Sequence, residues 1–234
     1  MTTTVTLFSH PFSRAYWREA AKQFSDLRML CVAALLIAAR VALKSLAIPV
    51  GPNLNIQIAF LVNALGAMIF GPVIAIPAAV VSDTLGALLF PSGAYFFPFV
   101  FVEIAGSVIF ALFLWRAELS AGRVILARFS VVFVCNILMN PAIMIWYYQW
   151  LANGKVYRFI TLPRIVKNVA LFPAEAFVLV LFLGLLMPAL TKVGVLSPKQ
   201  AKPVMEKKHY VLLAILFVVA ALSVLAYYFL YLKK

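Results

Sequence analysis

Lys155, Arg158, Arg164 and Lys167 crowd the stretch "NGKVYRFITLPRIVKNVALFP", residues 153–173, just where a strongly apolar segment begins. Arginine grips a carboxylate or phosphate bidentately and lysine does so as a point charge, so the cluster carries the chemistry of an anion site. Pro163 suits a helix's first turn and Thr161 can cap it. Arg164 and Lys167 then sit at a helix N-terminus, where the backbone dipole disfavours cations by ~0.3–1 kcal/mol. A bound anion would relieve that conflict. The plainer alternative is contact with lipid phosphates or snorkelling to the interface.

More polar groups interrupt apolar sequence. Asp83, Glu103 and Glu175 lie within long hydrophobic runs, with Arg40 and Lys44, four residues apart, as the available counter-charges. Ionisable groups in a bilayer are expensive, so each is expected to face the interior with a partner. Such pairs either hold helices in register or build a site. At ~100° per residue, Arg164, Asn168 and Glu175 share one helical face with Lys167 to one side. Asn136 and Asn140 add a second polar stripe.

Aromatic residues gather at two places, Phe90, Tyr95, Phe96 and Phe97, and Trp146, Tyr147, Tyr148 and Trp150. Membrane-interface belts account for many such residues; a stacking surface for a flat heteroaromatic ligand is the functional alternative. Ala34, Ala38 and Ala42 recur every four residues, a spacing that lets a second helix approach closely in lipid. They project roughly 140° from Arg40 and Lys44, and so outward if those cations face in.

The elements that must position these groups are membrane helices. The chain has 234 residues, 65% hydrophobic and only 12% charged, with a mean hydropathy of +1.05. A spanning helix needs about 20 apolar residues, and seven candidate runs occur, at 29–48, 54–70, 72–90, 95–115, 124–151, 163–190 and 210–232. The expected fold is all-α, an integral membrane bundle of six core transmembrane helices plus a seventh, C-terminal one. "FGP" at 70–72 is a tight turn that makes the second and third runs antiparallel. Residues 1–28 form an amphipathic leader lying on the inner membrane surface, with Phe12, Tyr16, Ala20, Phe24 and Leu27 on one face. Residues 29–190 form the binding domain, 191–209 a Lys-rich linker and 210–234 the added helix.

Cations favour cytoplasmic loops. The leader, the connection holding Arg116, Arg123 and Arg128, and the Lys-rich linker all fall inside if the N-terminus is cytoplasmic. The loop bearing Lys155 and Arg158 is then outside and breaks the rule. The net charge of +13 is divided among these flanks, which explains it by topology without nucleic acid. Cys31 and Cys135 have no metal-ligand spacing and are expected as small packing residues. No phosphate loop, H-E-x-x-H pair or nucleophile elbow occurs. His10 and His209 lie outside the runs, which argues against a buried histidine catalyst.

The order "IPVGPNLNI", "GAMIFGPVIAIPAAVVSDTLGALLFPSGAYFFP", "CNILMNP" and "LPRIVKNVALFP" resembles the folate family of substrate-binding S components of energy-coupling factor transporters, over residues 29–190. The resemblance implies a six-helix subunit that takes a vitamin at its outer side. It also implies association with a transmembrane coupling protein and two cytoplasmic ATPases, so that ATP is used by partners and no cofactor resides in this chain. In that family the alanine face of the first helix meets the coupling protein, which maps to Ala34, Ala38 and Ala42. The stretch "AYFFPFVFVE" departs from the family's more usual P-Y-F-P-G-F-T and adds Glu103.

The expected function is therefore vitamin capture, of folate or a related pterin, at a bacterial-type cell membrane. Arg164 and Lys167, assisted by Lys155 and Arg158, would take the glutamate carboxylates. Tyr95, Phe97 or Trp146 would stack on the pterin, Asp83 or Asn140 would accept from its ring N–H groups, and Asn168, Arg40 and Lys44 would complete the site. The alternatives are an S component for another anionic or heteroaromatic vitamin, a membrane scaffold subunit without transport, and an ion-coupled transporter relaying protons through Asp83, Glu103 and Glu175.

Overall fold

A computed structural model describes residues 7–8, 10–51, 54–91, 95–150, 157–159, 161–196, 200 and 207–231. Some of its helices begin where short polar side chains satisfy free backbone N–H groups. The Ser13 hydroxyl accepts from the Tyr16 N–H at 3.2 Å to start α1 (Arg14–Lys22). The Asp26 carboxylate accepts from the Arg28 and Met29 N–H groups to start α2 (Leu27–Leu43). A 3₁₀ turn at Gln23–Ser25 separates the two, so the expected leader face does not run unbroken to Leu27. Its centre, Tyr16 and Ala20, is buried against protein, while Phe12, Phe24 and Leu27 are exposed.

The all-α expectation needs one correction. Residues 47–57, read as the end of one span, a short loop and the start of the next, contain an antiparallel hairpin, β1 (Ala47–Gly51) and β2 (Leu54–Gln57), pairing Ile48 with Ile56. Pro49 cannot donate a helical hydrogen bond and β-branched Ile48, Val50 and Ile56 favour extended backbone, so the helix ends before them. The second span is correspondingly shorter than its hydropathy suggests.

Next comes α3 (Ala59–Leu89), which is broken at Gly71, where φ is 79° and ψ −179°. Only glycine adopts that conformation readily. A straight helix would hold Asn63 and Asp83 ~30 Å apart, yet both line one cavity. The chain therefore folds back at Gly71, as "FGP" suggests. Trp115 fills the inside of this turn, because a Cβ on Gly71 would meet its indole at 2.7 Å.

Then follow α4 (Val100–Leu114), α5 (Ala121–Val131), a π-helical segment (Val132–Met139) and α6 (Asn140–Trp150). Pro141 offers no N–H to the carbonyl four residues back and its ring crowds that carbonyl, so the wider π turn falls just before it. The last two helices are α7 (Leu162–Lys192) and α8 (Lys207–Tyr231). Thr161 precedes α7 as expected, but its carbonyl rather than its hydroxyl accepts the first N–H groups.

The core joins α3, α4, α5 and α7 through Met68, Phe110, Leu114, Val124, Leu179 and Leu183, all essentially inaccessible. Against it α8 packs through α7, with the Phe177 and Phe217 rings 5.5 Å apart. Among the described residues, four helices are long and apolar enough to cross a bilayer: 59–89, 97–114, 121–150 and 163–192.

Candidate functional site

A cavity of about 640 Å³ opens between α2, α3, α4, α5 and α7, beneath the hairpin. That size lies in the range of about 300–1,000 Å³ usual for small-molecule sites. Its wall is unusually charged for a membrane bundle, because each helix turns its few polar residues inward, away from lipid. Lys44, at the C-cap of α2, donates to Asp83 Oδ1 on α3 at 2.8 Å, and the Tyr95 hydroxyl approaches Asp83 Oδ2 at 3.4 Å. Glycine at position 86 leaves room for the Lys44 stem, which a Cβ there would meet at 2.5 Å.

Arg40 pairs with Glu103 on α4 and reaches Ser107, whose hydroxyl donates to Asn63 Oδ1 at 2.7 Å. Across the cavity Arg128 pairs with Glu175 at 2.8 Å and lies over the Phe60 ring, 4.0 Å from its centroid. Asn136, in the π-helical segment, donates to Asn168 Oδ1 on α7 at 3.1 Å. Three cations of the wall are thus matched by three carboxylates. Lys167 also lines the cavity and makes no ion pair among the described residues.

The model of the family described as the S component of an ECF-type riboflavin transporter matches residues 25–192 of this chain. The chain belongs to the S-component family of ECF transporters. This is a family of transporter subunits rather than enzymes. Among curated relatives, the folate transporter FolT of Clostridium novyi is 34% identical over 128 residues, 55% of this chain and 72% of its own length. The FolT of Leuconostoc mesenteroides subsp. mesenteroides is 28% identical over 152 residues, 64% of this chain and 81% of its own. Among solved structures, a crystal structure of FolT bound with folic acid superposes with a TM-score of 0.55 at 28% identity, covering 65% of this chain and 90% of that one.

Within this S component the structure gathers Arg40, Lys44, Asp83, Lys167 and Asn168 around the cavity. Tyr95 reaches that wall through its hydroxyl on Asp83, and the remaining predicted site residues stand apart from it. Arg164, one turn before Lys167, lies beside the Tyr157 ring, 5.2 Å from its centroid, with Nη1 buried and unbonded among the described residues. Asn140 is half-buried at the start of α6 and does not line the cavity. Trp146 packs edge-on to Phe96 and stays exposed. Phe97 turns instead toward Phe101 and is largely exposed. Arg158 is exposed. Lys155 lies outside the described residues, as do Ser92, Gly93, Lys199 and Lys202.

Three expectations are corrected. Arg128 is not a loop cation: Ser120 caps α5, which puts Arg128 two turns inside the helix, only 5% exposed and serving as the partner of Glu175. The pairing of Glu175 with Arg40 or Lys44 is excluded by the same geometry. Cys31 is exposed rather than packed inside, whereas Cys135 is buried beside Gly106 at the cavity wall. Ala34, Ala38 and Ala42 are all exposed on one side of α2, opposite the buried Ala33 and Val41. Asn63 and Arg128 escaped the sequence reading, although an asparagine amid the apolar start of α3 and an arginine past a serine cap both signal interior polar groups.

Proposed function

We propose that this chain captures folate or a close pterin relative and delivers it to ATP-driven partners for import. The observation that carries this reading is Lys167, a cation without an ion pair among the described residues, in a cavity whose other described charges are paired. A neutral ligand would leave it unpaired in a low-dielectric bundle, whereas the glutamate tail of folate brings carboxylates. The FolT relatives and the folic-acid-bound fold neighbour support the same choice. Riboflavin, named in the matching family description, has no charge to offer Lys167.

In this reading Lys167 and Arg164 hold the glutamate, Tyr95 and Trp146 flank the ring at the mouth, and Asn168, Asp83, Lys44 and Arg40 shape the wall. Asn140 and Phe97 would act at the rim. Six spans, 29–190, form the binding domain with the N-terminus cytoplasmic, and α8 follows the Lys-rich linker as a seventh. The exposed side of α2, Ala34, Ala38 and Ala42, meets the transmembrane coupling protein, which works with two ATPases.

Titration calorimetry of the purified protein with folic acid and riboflavin tests the reading. Tight folate binding that Lys167→Ala weakens at least about tenfold is expected, since a charge-assisted hydrogen bond contributes roughly 1.5–3 kcal/mol. Binding of riboflavin with none of folate would overturn it.

A further inference from the structure

We propose that the Arg128–Glu175 pair reads the hydrogen-bonding edge of the ligand's heteroaromatic ring, deep in the cavity and away from the anion site at Lys167. This rests on the reading that the ligand is folate or a related pterin. Arg128 Nε and Nη2 both contact the same oxygen, Glu175 Oε2, at 3.2 and 2.8 Å. That geometry leaves Glu175 Oε1 and Arg128 Nη1 without a hydrogen bond among the described residues. Neither atom is sealed in protein: the fully enclosed, unbonded side-chain atoms among the described residues are Arg164 Nη1 and Gln200 Nε2. Both side chains line the cavity.

A free carboxylate oxygen and a free guanidinium N–H give the pair one acceptor and one donor to offer a ligand. The 2-amino-4-oxo edge of a pterin presents the complement, amino and ring N–H donors next to a carbonyl acceptor. Phe60, under the Arg128 guanidinium, fixes that group's plane and gives it a rigid orientation. Glu175 lies two helical turns beyond Lys167 on α7, about 12 Å along the axis, and folate likewise separates its glutamate from its pterin by an aminobenzoyl spacer. A buried ion pair is costly to keep and is often replaceable by apolar residues without loss of stability, so a binding role accounts for its presence in the wall.

The test measures binding of folic acid, of pteroic acid, which lacks the glutamate, and of the 2-deamino-2-oxo analogue of pteroic acid. Wild-type protein is expected to bind the analogue about 10- to 100-fold more weakly than pteroic acid, because an acceptor then faces Glu175. The paired variant Arg128→Leu with Glu175→Leu should keep its thermal transition and lose a similar factor for pteroic acid, whereas Lys167→Ala should weaken folic acid more than pteroic acid. If wild-type protein binds folic acid but takes the analogue as well as pteroic acid, the edge-reading role is wrong while the folate reading stands. That comparison decides the matter even if the paired variant fails to fold. If wild-type protein binds no folic acid, the functional reading itself fails.

Discussion

At the turn where α3 folds back, Trp115 fills the space beside Gly71, and Tyr16 packs its ring edge-on at 4.8 Å while donating its hydroxyl to the Ala111 carbonyl. At the hairpin end the same helices stand apart around a cavity, and polar side chains face one another across it. One end is filled and hydrogen-bonded; the other keeps one cation unmatched among the described residues. The contrast follows from what each end buries. Aromatic rings gain from close contact, whereas charged groups left room can exchange solvent for a ligand. On the proposed reading, stability is concentrated at the turn and binding at the cavity, so substitutions at the two ends should separate the two properties.

The largest effect is expected from Trp115→Ala, which empties the space beside Gly71 and should cost about 3–5 kcal/mol, read as a lowered thermal midpoint in detergent with ligand affinity per folded molecule retained. Loss of binding without loss of stability would dissolve the separation. Lys167→Ala is the converse. Its thermal midpoint without ligand should hold or rise, because an unpaired cation is removed, while stabilisation by added folic acid shrinks. Tyr16→Phe should cost about 1 kcal/mol, the net contribution of one buried hydrogen bond, and leave folate titrations unchanged. The smallest effect concerns pH. Hydrogen bonding from Lys22, with Arg116 assisting, holds the Glu19 carboxyl below its ordinary range. Its contribution is present above the ordinary carboxylate range and is lost as pH falls through the lowered value. Glu19→Gln should remove that part of the acid dependence in a comparison of melts from neutral to acidic pH.

Much of this division was legible in residue types. The membrane class, the break at "FGP", the inward charges and the outward alanines follow from hydropathy, glycine and proline chemistry and helical periodicity. The hairpin was legible but overlooked: Leu54, Ile56 and Ile58 alternate with Asn53, Asn55 and Gln57 at the period of a strand, but the run merges into the apolar start of α3 and was counted with it as one span. Arg128 was hidden because counting cations for topology placed it in a loop, although its distance from the Ser120 cap marks it as interior. Phe97 and Phe96 are adjacent aromatics in a loop without periodicity, so sequence could not say that Phe96 is the one meeting Trp146.

By itself the sequence determined that the chain lives in lipid, where it must break and which residues are too costly to face hydrocarbon. Those outcomes depend on local composition and on the energy of burying a charge, both written residue by residue. Only the tertiary structure decided which charge finds which: Arg128 with Glu175, Lys44 with Asp83, Arg40 with Glu103 and Lys167 with none among the described residues. Pairing depends on helix rotation and on the fold-back at Gly71, which bring together groups many turns apart. The unmatched Lys167 follows from that assembly rather than from any one stretch of chain.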